Sequence, residues 1–421
     1  MRRIATNMPN DDMQFYLRRQ EEALAKIQTN MARQTRIGEL RDDPLAASHA
    51  VRYESYQARL ERFEKNTLYA RDHYNEVDTY LRQTNDVMQR IRELSVTGAN
   101  GVYSREDMKY MAMEVNELLK EMVSLANAIG SDGKQLFAGD KAFTEPFRTV
   151  ESTVEGGDDI LVVRVEYRGA GSARRAEISD QTYIDLDIGG GEAFWAEKMQ
   201  IYSTIDGTEY RSEGAGLIYV DGVEIAINPG DTLFSIVAKI NESSAPVKAY
   251  MDPQTRGLAL EGVNAHLIRL EDGAATADRP ATTVLQDLGL IAANSDPSAP
   301  NWGPSARVSG GSAFDMVIRL RDALYRGDSD FVGSQGIMGM DLALGNIQTR
   351  LAANGSRQER VETTWQRINL EIPNVAAAFA REAGLDFAAA ATDFGMIDFA
   401  HKATLQTAAK ILPTTLLDFL R

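Results

Sequence analysis

The chain contains no cysteine, which excludes disulfides, thiolate metal sites and cysteine nucleophiles. The redox compartment stays open, although a chain without thiols suits an oxidising environment. Long apolar runs are also missing: no window reaches the roughly 18 consecutive apolar residues of a membrane span. Behind Met1-Arg2-Arg3-Ile4-Ala5-Thr6-Asn7, any apolar run is broken by Gln14, Arg18, Arg19, Gln20, Glu21 and Glu22, so no secretory leader is legible. Positive charge is in deficit, with 45 Lys and Arg against 61 Asp and Glu and a net charge of −16. That argues against broad affinity for nucleic acid or an anionic membrane, both of them polyanions.

The usual chemistry-bearing patterns are scarce as well. The four histidines, His49, His73, His266 and His401, include no pair at close metal-ligand spacing, and they read as packing or surface residues. Glycine clusters at Gly169-Ala170-Gly171, Gly189-Gly190-Gly191 and Ser309-Gly310-Gly311 lack the Lys-Ser/Thr or GxGxxG of a phosphate loop. No Ser-His-Asp set suggests itself. The expectation is a non-enzymatic protein with no cofactor and no metal.

What is present is a helical rhythm at both ends. Length suggests two to three domains, and 43% hydrophobic residues can bury a sizeable core. Met13, Leu17, Gln20, Leu24, Ile27 and Met31 step by fours and threes along one helical stripe. Gly38 and Arg41-Asp42-Asp43-Pro44 interrupt it, with Asp43 placed to cap a new helix and Pro44 at its first position. From Ala46 through His49, Tyr53, Tyr56, Leu60, Phe63, Thr67, Ala70, Tyr74, Val77, Leu81, Thr84 and Met88 to Ile91 the rhythm never slips. No glycine or proline falls between Leu45 and Val96, so this helix would run roughly 70 Å and must face a partner helix. Ser104 and Asp107 form a near capping box for a third stripe, Met108 to Ile129.

The other end mirrors this, from Ile337 through Met340, Leu344, Ile347, Leu351, Asn354, Gln358, Val361, Trp365, Ile368 and Ile372 to Val375. Pro373 should kink or locally break that helix. A last helical segment, from about Thr392, carries Phe399, Ala403, Leu405, Ala408, Ile411, Leu412, Leu416 and Phe419 on a wide apolar surface, with Pro413 interrupting it. Between the arms, residues 150–308 show short β-type runs at Ile160–Val165, Leu217–Val220, Val247–Tyr250 and Leu258–Leu260, and one short helix at Asp231–Asn241.

The fold class expected is therefore α+β. Long N- and C-terminal helical arms pair as an antiparallel coiled coil or bundle, with a β-rich outer domain inserted between them. The expected divisions are 1–45 and 376–421 as terminal assembly segments, 46–149 and 309–375 as the two arms of a stalk, and 150–308 as the insert. Short, interrupted terminal helices are marginal alone. Candidate assembly-interface residues are accordingly Met13, Leu17, Leu24, Ile27, Met31, Phe399, Leu405, Ile411, Leu412, Leu416 and Phe419.

Three stretches also carry a family resemblance. Arg41-Asp42-Asp43-Pro44-Leu45-Ala46-Ala47-Ser48 resembles the Asp-Asp-Pro-x-Ala-Ala element of the flagellar hook-associated protein 3 family, within the flagellin superfamily. Lys134-Gln135-Leu136-Phe137-Ala138-Gly139 is similar to its Gly-Arg-Tyr-Leu-Phe-Ala-Gly stretch, with Lys and Gln as departures. Leu416-Leu417-Asp418-Phe419-Leu420 resembles its Ser-Leu-Phe-Asp-Tyr-Leu ending, although Pro413 departs from a continuous terminal helix. In the middle, Tyr219-Val220-Asp221-Gly222-Val223, Asp231-Thr232-Leu233, Ile240-Asn241 and Val247-Lys248-Ala249 look like the repeat of flagellin and hook-associated inserts.

The resemblance implies export without a cleaved signal and a place in the flagellum, outside the cell or in a periplasm. It implies as partners flagellin, the other hook-associated junction protein, further copies in a ring, and an export chaperone at the C-terminal segment. Two rivals stand beside this junction protein. One is flagellin itself, which the Pro44 of Asp-Asp-Pro and the Leu-Phe-Ala-Gly stretch disfavour. The other is an enzyme carried on flagellin-like arms.

Overall fold

The computed structural model describes residues 8–153, 160–274, 281–292 and 301–411. The chain divides into two compact units, residues 1–65 with 365–421, and residues 66–364. Helix α1 (Met8–Arg33) is followed by α2 (Pro44–Gly98), which contributes to both units, and by α3 (Arg105–Ala126). A region of short strands and helices follows: β1 (Phe147–Thr153), β2 (Ile160–Tyr167), β3 (Arg175–Ser179), β4 (Thr182–Asp185), α4 (Gly190–Ala193), β5 (Gln200–Ser203), β6 (Gly216–Val220) and β7 (Val223–Ile227). It continues with α5 (Leu233–Glu242), β8 (Val247–Met251), β9 (Leu258–Gly262), β10 (Leu270–Asp272), α6 (Val284–Asp287) and β11 (Ala306–Ser309). The chain then returns through α7 (Ala313–Arg326), α8 (Ser329–Phe331), a π-helical turn (Val332–Gly336), α9 (Ile337–Ala383) and α10 (Phe387–Ile411).

The helices form where the apolar rhythm and the caps agree. Asp43 Oδ1 accepts from Ala46 N at 3.0 Å, satisfying one free donor of α2. Ser104 and Asp107 close a full capping box on α3, and Ser312 and Asp315 do the same for α7. Every residue of the stripe from Ala46 to Ile91 is buried or half-buried, and so is the stripe from Ile337 to Val375.

In the larger unit the two long helices run antiparallel. Arg92 pairs with Asp341 at 2.5 Å, while Asn354 Nδ2 donates to the Tyr74 carbonyl at 3.0 Å and Gln358 to Asn75 Oδ1 at 3.1 Å. In the smaller unit Leu60, Phe63, Ile368 and Val375 form a separate cluster, and the Tyr56 hydroxyl meets the Glu371 carboxylate. Helix α9 continues through Pro373 without ending, and Asn374 Nδ2 bonds the Leu370 carbonyl at 2.8 Å.

The β region is four small antiparallel sheets: β1-β2, β3-β4, β10-β6-β7 and β11-β5-β9-β8. A small cluster of Ala70, Tyr74, Ile178, Ile184, Leu186 and Val361, and two main cores, serve the larger unit. One joins α2, α3, α7 and α9 to β1, β2 and α4, and the other is formed by β5–β10 with α5 and α6.

Candidate assembly surfaces

The break between α1 and α2 is a built turn. Asp42 accepts from Lys26 Nζ at 2.5 Å and from Gly38 and Glu39 N–H at 3.1 Å each. The Lys26 hydrogen bond and these amides hold its carboxyl below the usual aspartate value. Asp43 is lowered too, first by the Ala46 N–H at the cap and then by Arg36. Arg36 N donates to Ala383 O at 2.8 Å, and Leu385 N to Gln34 O at 3.2 Å. The α1–α2 break is therefore hydrogen-bonded directly to the α9–α10 break.

Helices α1 and α10 pair, with Gln20 Nε2 donating to Thr404 Oγ1 at 3.2 Å. Met13, Leu17, Leu24, Ile27 and Met31 are all half-buried, on the stripe expected of them. The face of α10 that is covered is Ala390, Phe394, Ile397, His401, Thr404 and Ala408. Phe399 and Leu405 point away from it, 76% and 45% exposed. Ile411 ends α10, while Leu412, Pro413, Leu416 and Phe419 lie outside the described residues.

Other apolar side chains of this helix pair also face solvent: Met396 on α10, and Phe15 and Tyr16 on α1, are each more than half exposed. Sequence reasoning passed over these three because they fall between the heptad positions. The signal was available, since Phe15 and Tyr16 adjoin the stripe and cannot both lie on it.

The second motif lies at the joint between the helices and the strands. Leu136, Phe137 and Ala138 have no exposed surface. Phe137 meets Phe194 edge-on at 5.2 Å, and Phe147 lies 5.2 Å from Phe194 and 5.0 Å from Phe314, so rings from four chain segments form one cluster. Ala170 N donates to Ala138 O at 2.7 Å and Gly190 N to Phe137 O at 2.9 Å. Gly139 stands at φ +65, and a Cβ there would come within 2.6 Å of Ser172 O, so only glycine fits. Burial pushes the nearby Tyr167 hydroxyl up to about 12.

Beside the joint is a buried ion cluster. Asp187 accepts from Arg174 N and Nε at 2.9 Å and Nη2 at 2.6 Å, with His73 Nε2 at 3.5 Å. Despite its burial, these donors hold the Asp187 carboxyl below its ordinary value. His49 faces Glu382 at 3.6 Å, and His401 lies on the covered face of α10. Among the described residues no three His, Asp or Glu side chains gather to hold a metal, and no helix is long and apolar enough to cross a membrane.

The profile of the bacterial flagellin N-terminal helical region matches residues 4–142, which span α1, α2, α3 and the Leu136–Gly139 joint. Flagellar hook-associated protein 3 of Salmonella typhimurium is 25% identical over 164 residues, 39% of this chain and 52% of that protein. Over these residues the chain is similar to the flagellin N-terminal helical region and to hook-associated protein 3. Another relative is the flagellar filament 33 kDa core protein of Treponema phagedenis, 45% identical over 62 residues, 15% of this chain and 22% of that one. The chain thus spans about half the length of the Salmonella relative and less of the Treponema one. Among solved structures, flagellar hook-associated protein 3 of Legionella pneumophila covers 78% of this chain and 97% of its own, at 18% identity and a TM-score of 0.44.

Proposed function

We propose that this chain is a member of the flagellin superfamily and a structural, non-catalytic adaptor that forms the junction between hook and flagellin filament. The observation that carries this reading is the set of exposed apolar side chains on the α1–α10 pair, Phe15, Tyr16, Met396, Phe399 and Leu405. A monomer has no use for it, whereas a repeating heterologous contact would bury it. Met13, Leu17, Leu24, Ile27 and Met31 then hold α1 on α10, while Phe399 and Leu405, with Ile411, Leu412, Leu416 and Phe419, are assigned to neighbouring copies. The Asp42-Asp43-Pro44 turn and the Leu136–Gly139 joint support the junction protein over the filament subunit.

The same reading takes further copies in a ring, flagellin and the other hook-associated protein as partners, an export chaperone on the C-terminal segment, and export to the flagellum. The five-part division is kept: assembly segments 1–45 and 376–421, stalk arms 46–149 and 309–375, and the insert 150–308. Deleting the gene tests the reading. Hooks without filaments and flagellin shed into the medium are expected; normal filaments on hooks lacking the protein would refute it. Flagellin is the second reading, favoured by the 45% identity to the Treponema phagedenis core protein.

A further inference from the structure

The two cores of the larger unit meet at Leu267, which packs against both. Its neighbour His266 is buried, 5% exposed, on the connection between β9 and β10. Both ring nitrogens face acceptors: Nδ1 is 2.8 Å from the Asn264 carbonyl oxygen, and Nε2 is 3.0 Å from Asp221 Oδ2. A neutral imidazole has one N–H, so it can satisfy one of these oxygens and must turn a lone pair on the other. The imidazolium satisfies both.

Asp221 stands at φ +51 in the Asp221-Gly222 turn joining β6 to β7. Its other carboxylate oxygen accepts from Arg269 N at 2.7 Å, and its own N–H donates to Arg269 O at 2.9 Å. Leu267 N donates to Gly191 O at 2.9 Å in α4, and the Arg269 guanidinium bonds the Gly169 carbonyl and lies 5.2 Å over the Tyr167 ring. Residues 264–269 are therefore stitched to the hairpin turn on one side and to β2 and α4 on the other.

The charged groups facing His266 are Asp221 from the hairpin, Glu192 from α4 and Arg269 of its own segment. Glu192 is itself paired with Arg350 at 2.9 Å. Pro246, before β8, and Gly262, in β9, bring no charge. A cavity of about 180 Å³ lies alongside, bounded by His266, Asp221, Arg269, Glu192, Tyr167 and Pro246. It is polar and roomy enough to take water to the ring.

We propose that His266 is a pH-responsive clamp: its imidazolium locks the Asp221 turn to residues 264–269 at the seam of the two cores, and loss of its proton frees one bond and loosens that seam. Burial alone would lower the basicity of the ring, but the bond and charge of Asp221, helped by Asn264 and Glu192, outweigh it and raise the ring above its ordinary value. A histidine raised in this way contributes stability that is complete below its unfolded value and is lost as pH rises through the folded one. The clamp is closed on the acid side and opens on the alkaline side.

The test uses the full chain, whose four histidines give few imidazole signals. Nitrogen-15 NMR is followed from about pH 6 to about pH 9, with His266→Gln assigning the resonance. Hydrogen exchange is read over the same range at the Asp221, Leu267 and Arg269 amides, corrected for intrinsic rates. The expected result is a ring protonated on both nitrogens past the ordinary histidine value, with protection at the three amides falling severalfold as it titrates. Ile236 N, bonded to Thr232 O in α5, should hold steady. In His266→Gln the three amides should lose their pH dependence. A ring titrating at or below the ordinary value, or protection flat across its titration, would overturn the proposal. Should His266→Gln fail to fold, the Asp221→Asn shift of the same resonance assigns it, and the wild-type titration alone decides.

Discussion

Gly139 shows how narrowly one residue can be specified. Adding a methyl group there combines the cost of a left-handed backbone with a 2.6 Å approach to Ser172 O. Gly139→Ala should lower stability by about 2–4 kcal/mol, read as a fall in urea midpoint at constant slope. An unchanged midpoint would mean that the backbone moves freely at this joint. Asp272 makes a different point. Burial outweighs the Leu285 and Gln286 amides that bond it, and its carboxyl rises to about 6. Its folded form keeps a proton that the unfolded chain releases near 3.8, so stability falls as pH rises from about 4 to about 6 and is level above that. The loss should be about 2–3 kcal/mol at most. Denaturation midpoints compared with Asp272→Asn across that interval should show the slope in the wild type only. Removing a buried anion from its half-buried cation is also costly: Asp187→Ala leaves Arg174 without its carboxylate and should cost about 3 kcal/mol, read as a fall in urea midpoint.

The elements differ in how well their sequences announce them. In α2 and α9 a single apolar stripe is set against charged faces, so the period states both the helix and its buried side, and every stripe residue is covered. Helix α10 is apolar nearly all round, so its period carries no phase. Its start at Phe387 and its covered face, Phe394, Ile397, His401 and Thr404, were not legible. Helix α7 went unread although Ser312 and Asp315 carry the same capping signal as Ser104 and Asp107. Its Arg321 is fully buried, bonding Asn116 at 3.0 Å and the Val162 carbonyl at 2.7 Å, which no charge pattern would suggest. Strands β2, β6, β8 and β9 were found at nearly their true positions, but the other seven described strands went unread, and the sorting into four sheets depends on contacts far apart in sequence. At this scale the exposed apolar side chains of α10 make a sharp prediction. Phe399→Asp or Leu405→Asp should leave the monomer's thermal midpoint within about a degree or two while abolishing incorporation into filaments. Leu24→Asp, on the half-buried α1 stripe, should lower that midpoint as well. Full-length filaments built from Leu405→Asp protein would remove the basis for assigning this face to assembly.

For the whole molecule, two of the three family stretches fall at a structural break and a joint. Asp42-Asp43-Pro44 closes the turn between α1 and α2, and Leu136–Gly139 seats the strands on the helices. Leu416–Leu420 lies outside the described residues. A chemistry of turns and packing at these two places fits a part whose work is mechanical. The central claim is location, and immunogold electron microscopy on isolated flagella, with antibody raised against residues 150–308, tests it directly. The account predicts label in one band where hook meets filament. Label along the whole filament would contradict it and make the chain a flagellin.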